Sequence, residues 1–229
     1  MIKRLREHGR LTSTGFLLTL SLYCFGLSIL RSILTRGFGY LFLNWNLFLA
    51  FIPWLLTSFA VVRDMRSKAA ILVIMAVWLL FFPNSPYILT DLIHISVMRD
   101  AMEWLDLIIV LSYSWAGLCF GFLSLFDIEH FLHDRFGMKR NTVTVLSIIM
   151  VYLGAFGVYI GRFLRWNSWD IFGNPVEILT DLVGPFTDPF NNIRFWGFIA
   201  LMGTLLNFMY FGFKLLSAKS TAPAGTPPA

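Results

Sequence analysis

Six long apolar segments constrain the fold of this chain more than any other feature. They run roughly over residues 15–34, 41–62, 69–82, 105–126, 143–163 and 195–216. Most of them reach the ~20 apolar residues that an α-helix needs to cross the hydrocarbon layer of a bilayer. The third is short because Pro83 follows it, so it either stops at the interface or continues through a kink into residues 87–95. The pattern predicts an all-α, polytopic membrane protein with about six transmembrane helices.

The composition excludes an ordinary soluble domain. The chain is 57% hydrophobic and 14% charged, whereas soluble domains carry roughly 25% charged residues. Its net charge of +5 is explained by basic loops that orient the protein in a membrane, so we expect no nucleic-acid partner. With the N-terminus inside, 12 of the 18 basic residues fall in cytoplasmic pieces, which predicts six spans with both termini in the cytoplasm.

The chain is expected to form one membrane domain. We predict a basic cytoplasmic N-terminal segment over residues 1–14, a single transmembrane domain over 15–216 and a disordered tail over 217–229. Short interfacial helices on the outer face are predicted after Asn84 and Asn174, where a polar residue precedes proline. Cys24 and Cys119 lie in apolar segments and are expected to form no disulfide.

The first polar run, residues 83–94, follows the third apolar segment. If Pro86 opens an α-helix, Tyr87, Asp91 and His94 share one face, and Asp91 and His94 can act as general acid and base or bind a divalent metal. Asn84 and Thr90 add hydrogen-bonding groups that can hold a substrate. The alternative is that Asp91 and His94 satisfy each other, or a neighbouring helix, within the bundle.

The second polar run, residues 161–170, ends the fifth apolar segment. Arg162 and Arg165 lie one helical turn apart and suit recognition of phosphate or carboxylate, with Asn167 and Asp170 just beyond. The alternative is that these arginines reach lipid headgroups or pair with Asp170 and Asp91 as structural ties.

Polar residues also occur at the start of the second and fourth apolar segments and in one cytoplasmic loop. Asn44 and Asn46 open the second segment on the same outer side, and they either position a substrate or bond to a neighbouring helix. Three polar groups that reach one membrane face favour a shared site there. Asp106 is expected to face the same cluster.

On the cytoplasmic side, His130 and His133 are expected to lie in a solvated interfacial turn, with a metal site as the alternative.

Three segments carry a resemblance to a known family: residues 44–50, 82–94 and 161–170. Their sequences, NWNLFLA, FPNSPYILTDLIH and GRFLRWNSWD, resemble a bacterial family of predicted multi-pass membrane proteins known as domain of unknown function 1361. The resemblance extends roughly from residue 17 to residue 216. It implies a bacterial inner-membrane protein and supplies no activity, cofactor or catalytic residue.

Together these observations predict an outer-face polar site that binds, or also modifies, an anionic lipid-like substrate such as a phospholipid or an isoprenoid phosphate. Arg162 and Arg165 would hold the anionic group, and Asp91 and His94 would supply acid–base chemistry or metal ligands. A small transporter or channel component and an envelope assembly partner are the alternatives. Neither the reaction nor a protein partner follows from the sequence.

Overall fold

The computed structural model describes residues 10–97, 103–166 and 173–220, without the side chains of residues 94–97 and 218–220. The described residues are helical, joined by short turns. The elements in chain order are α1 (Arg10–Thr35), α2 (Phe42–Val62), α3 (Lys68–Phe81), α4 (Asn84–Tyr87), the 3-10 segment Ile88–Val97, α5 (Glu103–His130), the π segment Phe131–Arg135, α6 (Arg140–Tyr159), the π segment Ile160–Leu164, α7 (Pro175–Thr187) and α8 (Ile193–Ser220).

Six helices are long and apolar enough to cross a membrane, which confirms the predicted fold class. The span containing α5 is the central one, since 67% of its apolar window is buried against 22% for those of α1 and α8. α1, α2 and α4 pack on α5, α3 packs on α2, and α8 packs on α6. The outer faces of α1 and α8 carry exposed large apolar side chains, as expected for surfaces solvated by lipid.

The third span continues past Pro83 rather than stopping there, so the kinked alternative is correct. Two prolines lack the N–H groups that a continuous α-helix requires. The backbone instead turns at Phe82–Pro83, where the N–H of Ser85 donates to the carbonyl of Phe82 at 3.0 Å. It then resumes through α4 and the 3-10 segment, which gives an apolar span over Lys68–Ile93.

Glycines on the neighbouring helices make room for this broken span. A Cβ added at Gly117 of α5 would lie 2.6 Å from the carbonyl oxygen of Ser85. A Cβ at Gly154 of α6 would lie 2.8 Å from the Phe82 ring. Small residues at such positions let helix backbones approach closely inside a membrane. α4 is therefore fixed between α5 and α6, and the polar run that follows it is held in place.

α7 is the predicted interfacial helix after Asn174, with Pro175 at its first position. Ile178 faces the bundle and is buried, whereas Val176, Leu179 and Val183 are exposed. The acidic residues of α7 lie on the remaining face, the pattern of a helix that rests in the membrane interface. Asn174 precedes this helix, and its side chain makes no capping hydrogen bond.

The end of the bundle that carries the chain termini is tied together by ion pairs. Arg10 of α1 pairs with Asp127 of α5, and Lys214 of α8 pairs with Glu129 on the opposite side of α5. His130 and His133 are exposed, and Nδ1 of each contacts a backbone carbonyl near the end of α5. The cysteines Cys24 and Cys119 are free and buried, as predicted.

Candidate functional site

Asp91 is the centre of a buried polar network at the membrane face opposite the termini. Its side chain is 2% exposed, although it is ionisable. Nη1 of Arg162 lies 2.9 Å from Oδ1, and Nδ2 of Asn46 donates to Oδ2 at 3.3 Å. Because both carboxylate oxygens are engaged, the charge is balanced and α2, the 3-10 segment and the end of α6 are tied together.

Arg162 also holds the backbone of the 3-10 segment. Its Nη2 donates to the carbonyl of Thr90 at 2.5 Å, and its guanidinium lies 5.4 Å from the centre of the Tyr87 ring. The sequence leaves open whether Arg162 reaches lipid headgroups or forms a structural tie to Asp91, and the structure shows the tie. A guanidinium has five N–H donors, so the contacts to Asp91 and Thr90 do not exhaust its capacity to bind an anion.

Arg165 does not share a helical face with Arg162, contrary to the prediction. The π segment ends at Leu164, and Arg165 adopts a left-handed backbone conformation with φ of 61°. The chain therefore turns away from the α6 axis between the two arginines. Arg165 is exposed and forms no ion pair with the carboxylates that the structure describes.

The 3-10 geometry also changes the predicted stripe of Tyr87, Asp91 and His94. With three residues per turn, position 87 aligns with position 90 and position 91 aligns with position 94. The hydroxyl of Thr90 donates to the carbonyl of Tyr87, three residues earlier, at 2.6 Å. Only the backbone of His94 is described, so its predicted acid–base role stays a prediction.

A cavity of about 460 Å³ lies beside this network. Its size is within the ~300–1,000 Å³ typical of small-molecule sites. Most of its wall is apolar, and its polar side chains are Asn46, Asn84, Tyr87 and Trp166. The remaining lining residues are Trp45, Leu49, Ala76, Leu79, Leu80, Pro83, Leu153, Phe156, Gly157, Ile160, Gly161, Ile178 and Leu182.

Trp166 connects the cavity to α7. Its indole Nε1–H donates to Oδ2 of Asp181 at 2.8 Å, and its backbone N–H donates to the carbonyl of Ile160 at 3.3 Å. Ile178 and Leu182 of the same helix line the cavity. α7 therefore forms part of the cavity wall, and a side-chain hydrogen bond fixes it to the segment after α6.

Asn44 does not join the Asp91 network. Its amide lies 3.4 Å from the hydroxyl of Ser28 and accepts a hydrogen bond from Tyr113, so it ties α2 to α1 and α5. Asp106 likewise turns to α1, where Nε of Arg31 donates to Oδ1 at 2.5 Å. Asn44 therefore follows the alternative in which it bonds to neighbouring helices, and the expectation that Asp106 faces the Asp91 cluster is wrong.

Two predicted binding residues, Asn167 and Asp170, lie outside the described residues. A metal site at Asp91 and His94 also stays a prediction, because the His94 side chain is outside the described part. Among the described residues, no group of three or more His, Cys, Asp and Glu side chains converges. The cationic group that the structure describes beside Asp91 is the guanidinium of Arg162, and a metal bound there would share the carboxylate with it.

Sequence reasoning missed the part of the site supplied by α6. Gly157 and Gly161 line the cavity, and a Cβ at Gly161 would lie 3.2 Å from the Tyr87 ring. The signal was available, since Gly154, Gly157 and Gly161 recur at intervals of three and four residues on one helix face. The Arg31–Asp106 pair was missed because its partners are far apart in sequence, although ionisable residues inside apolar segments call for partners.

Comparison with known proteins identifies the family. No curated protein and no solved structure matches the chain. One family model matches residues 45–209, a narrower range than the expected 17–216, so that α1 lies outside it. The matched range contains Asn46, Asp91 and Arg162 and covers more than two thirds of the sequence. The chain therefore belongs to the family described as protein of unknown function (DUF1361).

Proposed function

We propose that this protein binds an amphipathic, anionic lipid-like molecule at the membrane face opposite its termini. The observation that carries the proposal is the cavity of about 460 Å³, apolar along most of its wall and polar at Asn46, Asn84 and Tyr87. A site of this kind suits a ligand with an apolar body and a polar group. The Asp91–Arg162 pair lies directly behind these polar side chains, through Asn46 and Tyr87.

Arg162 and Arg165 are both proposed to contact the anionic group of the ligand. Arg165 is exposed and precedes Trp166, which lines the cavity, and this neighbourhood supports a role for its guanidinium in meeting a charged group at the opening. Arg162 would contribute the N–H groups that Asp91 and Thr90 leave unused. Thr90, Asn167 and Asp170 remain proposed binding residues, and Asn44 is proposed only as a support for α2.

The protein is further proposed to modify the molecule that it binds. Asp91, with His94 and Tyr87, would then supply acid–base chemistry. Asp91 contacts Arg162 at 2.9 Å, so we expect this contact to loosen before the carboxylate takes a proton from a substrate. An anionic group that attracts Arg162 would loosen the pair, which links binding to activation of the carboxylate.

We further propose a bacterial inner membrane location with both termini in the cytoplasm. The supporting observation is the concentration of Lys and Arg in the segments at the terminal end of the bundle. Cysteines placed in an otherwise unreactive background test it, because Cys24 and Cys119 are buried. A membrane-impermeant maleimide should label Thr187→Cys in intact cells and Lys139→Cys only after permeabilisation; the reverse pattern would invert the topology.

The binding proposal is tested by mass spectrometry of lipids that co-purify with the protein in mild detergent. Wild type should retain a specific anionic lipid, and Arg165→Gln should lose most of it. Arg36→Gln is the matched control, because Arg36 is also an exposed arginine in a left-handed conformation, at the end of α1 on the same membrane face.

The outcomes separate the competing functions. An anionic lipid lost from Arg165→Gln and kept by Arg36→Gln would support the site. Equal, unselective lipid profiles in all three proteins would contradict it. Co-purification of a stoichiometric protein partner without bound lipid would favour the assembly role instead.

A further inference from the structure

The cavity beside Asn46 is open to the bilayer on one side. Ala76 of α3 and Leu153 of α6 both line it, and both are exposed. α3 packs on α2, while α6 packs on α8, so the two helices that bear these residues belong to different packed pairs. The exposure of both residues, within the membrane-spanning segments, points to a gap between α3 and α6 as the path from the lipid into the cavity.

The cavity has the dimensions of one hydrocarbon chain. Its lining on α6 begins at Leu153 and continues to Gly161, which corresponds to about 12 Å at the ~1.5 Å rise per helical residue. The volume of about 460 Å³ lies in the lower half of the ~300–1,000 Å³ range of small-molecule sites, which favours one hydrocarbon chain over the two of a diacyl lipid.

The polar groups lie toward the opposite end from the gap. Asn46 begins α2 at the membrane face, Asn84 and Tyr87 follow the break in the third span, and Trp166 follows the end of α6. A chain that inserts between Ala76 and Leu153 would thus bring its polar head to this end. There Arg165 precedes Trp166, outside the apolar wall and exposed.

α7 closes the cavity at the same end. Ile178 and Leu182 contribute to its wall, and the exposed Val176, Leu179 and Val183 continue the apolar surface of α7 toward lipid. A ligand held below this helix is separated from water along its chain. Trp166, which joins the cavity wall to α7 through Asp181, lies where the head group would emerge.

From these observations we propose that the ligand is a single-chain lipid with a phosphate monoester head, taken up sideways from the bilayer between α3 and α6. This inference rests on the proposed function and narrows its substrate class. The chain occupies the cavity, and the phosphate binds at Arg165. A monoacyl phosphate and an isoprenyl phosphate share this chemistry, and the experiment distinguishes them.

The experiment is native mass spectrometry of the full chain in nanodiscs of phosphatidylcholine, titrated with three probes. These are palmitoyl lysophosphatidate, farnesyl phosphate and dipalmitoyl phosphatidate. We expect one molecule of a single-chain probe per protein and at least tenfold weaker binding of the two-chain probe. Whichever single-chain probe binds more tightly identifies the acyl or the isoprenyl class.

Variants locate the binding in the cavity. Ala76→Trp fills the gap and should weaken single-chain binding at least tenfold, and Arg165→Gln should do the same by removing the head-group contact. Val73→Trp, one turn earlier on the exposed surface of α3 and outside the cavity lining, is the matched control and should bind like wild type. Unchanged elution and thermal midpoint establish that each variant is folded.

The outcomes distinguish this inference from the proposed function. Equal binding of the two-chain phosphatidate, or binding that Ala76→Trp leaves unchanged, would overturn the single-chain assignment while anionic lipid binding stands. Binding of none of the three probes by wild type, together with an unselective co-purified lipid profile, would overturn both. A profile that shows a selective lipid of another head group would overturn only the phosphate assignment.

Discussion

Removal of Arg162 should destabilise the protein because it strands the buried carboxylate of Asp91. At 2.9 Å and an effective dielectric constant of about 20, the attraction between the two charges is about 6 kcal/mol. Desolvation offsets much of this gain, so the pair itself contributes little net stability. Loss of one partner leaves the other charge uncompensated, and we expect Arg162→Met to lower the free energy of unfolding by about 3–5 kcal/mol.

The double variant Asp91→Asn/Arg162→Met should recover most of that loss, with a coupling energy of about 2–3 kcal/mol between the sites. Reversible unfolding in mixed dodecyl maltoside and SDS micelles, followed by circular dichroism, measures each free energy. Arg165→Met, at an exposed position, is the control and should change stability by no more than about 0.5 kcal/mol. If the double variant is as unstable as Arg162→Met, the loss comes from the other contacts of Arg162, with Thr90 and Tyr87, and the charge argument is refuted.

Two further predictions concern packing and pH. Gly157→Ala should lower the thermal midpoint and the yield of folded protein, because the new Cβ would lie 2.7 Å from Cβ of Pro83. An unchanged midpoint would mean that the backbone at Pro83 can move away from α6. Hydrogen bonds from the Arg66 and Arg135 guanidiniums hold the pKa of Asp64 below its usual range, so its stabilising effect is present near neutral pH and lost as pH falls through that lowered value. The thermal midpoints of wild type and Asp64→Asn should therefore differ at pH 6, and the difference should shrink as pH falls below the ordinary Asp pKa of ~3.9. A constant difference would contradict the linkage.

The number and type of the spans could be predicted because the length of an apolar run is set by the thickness of the bilayer. The extent of the third span could not, since Pro83 and Pro86 normally end or kink a helix. What carries that span past its prolines is the space left by Gly117 and Gly154 on other helices. These glycines are distant from the prolines in the sequence, and their contact with the third span is seen only in the folded structure.

The polar residues of the site were predictable as a group, and their pairing was not. The sequence predicts that Asn46, Asp91 and Arg162 lie near one membrane face. The structure brings these three residues together. Helical periodicity failed where the helix type changed, at the 3-10 segment and at the π segment before Arg165. Such local changes depend on tertiary contacts, because their backbone hydrogen bonds are less regular than those of an α-helix.

A transporter would need a continuous polar path through these helices, from the cavity to the end of the bundle that carries the termini. Below the cavity, the Phe82 ring packs against Gly154 and stacks on Trp78 at 4.5 Å between ring centres. Trp78 itself is 1% exposed, and its indole Nε1–H donates to the hydroxyl of Ser124. This described part of the core is closed and mostly apolar, which opposes passage of an ion or a phosphate. We therefore expect proteoliposomes that bind the single-chain phosphate to show no flux of phosphate or protons above protein-free vesicles, with a known transporter reconstituted in parallel as the positive control. Flux that Ala76→Trp abolishes and Val73→Trp preserves would mean that this core opens, and would make the cavity one end of a transport path.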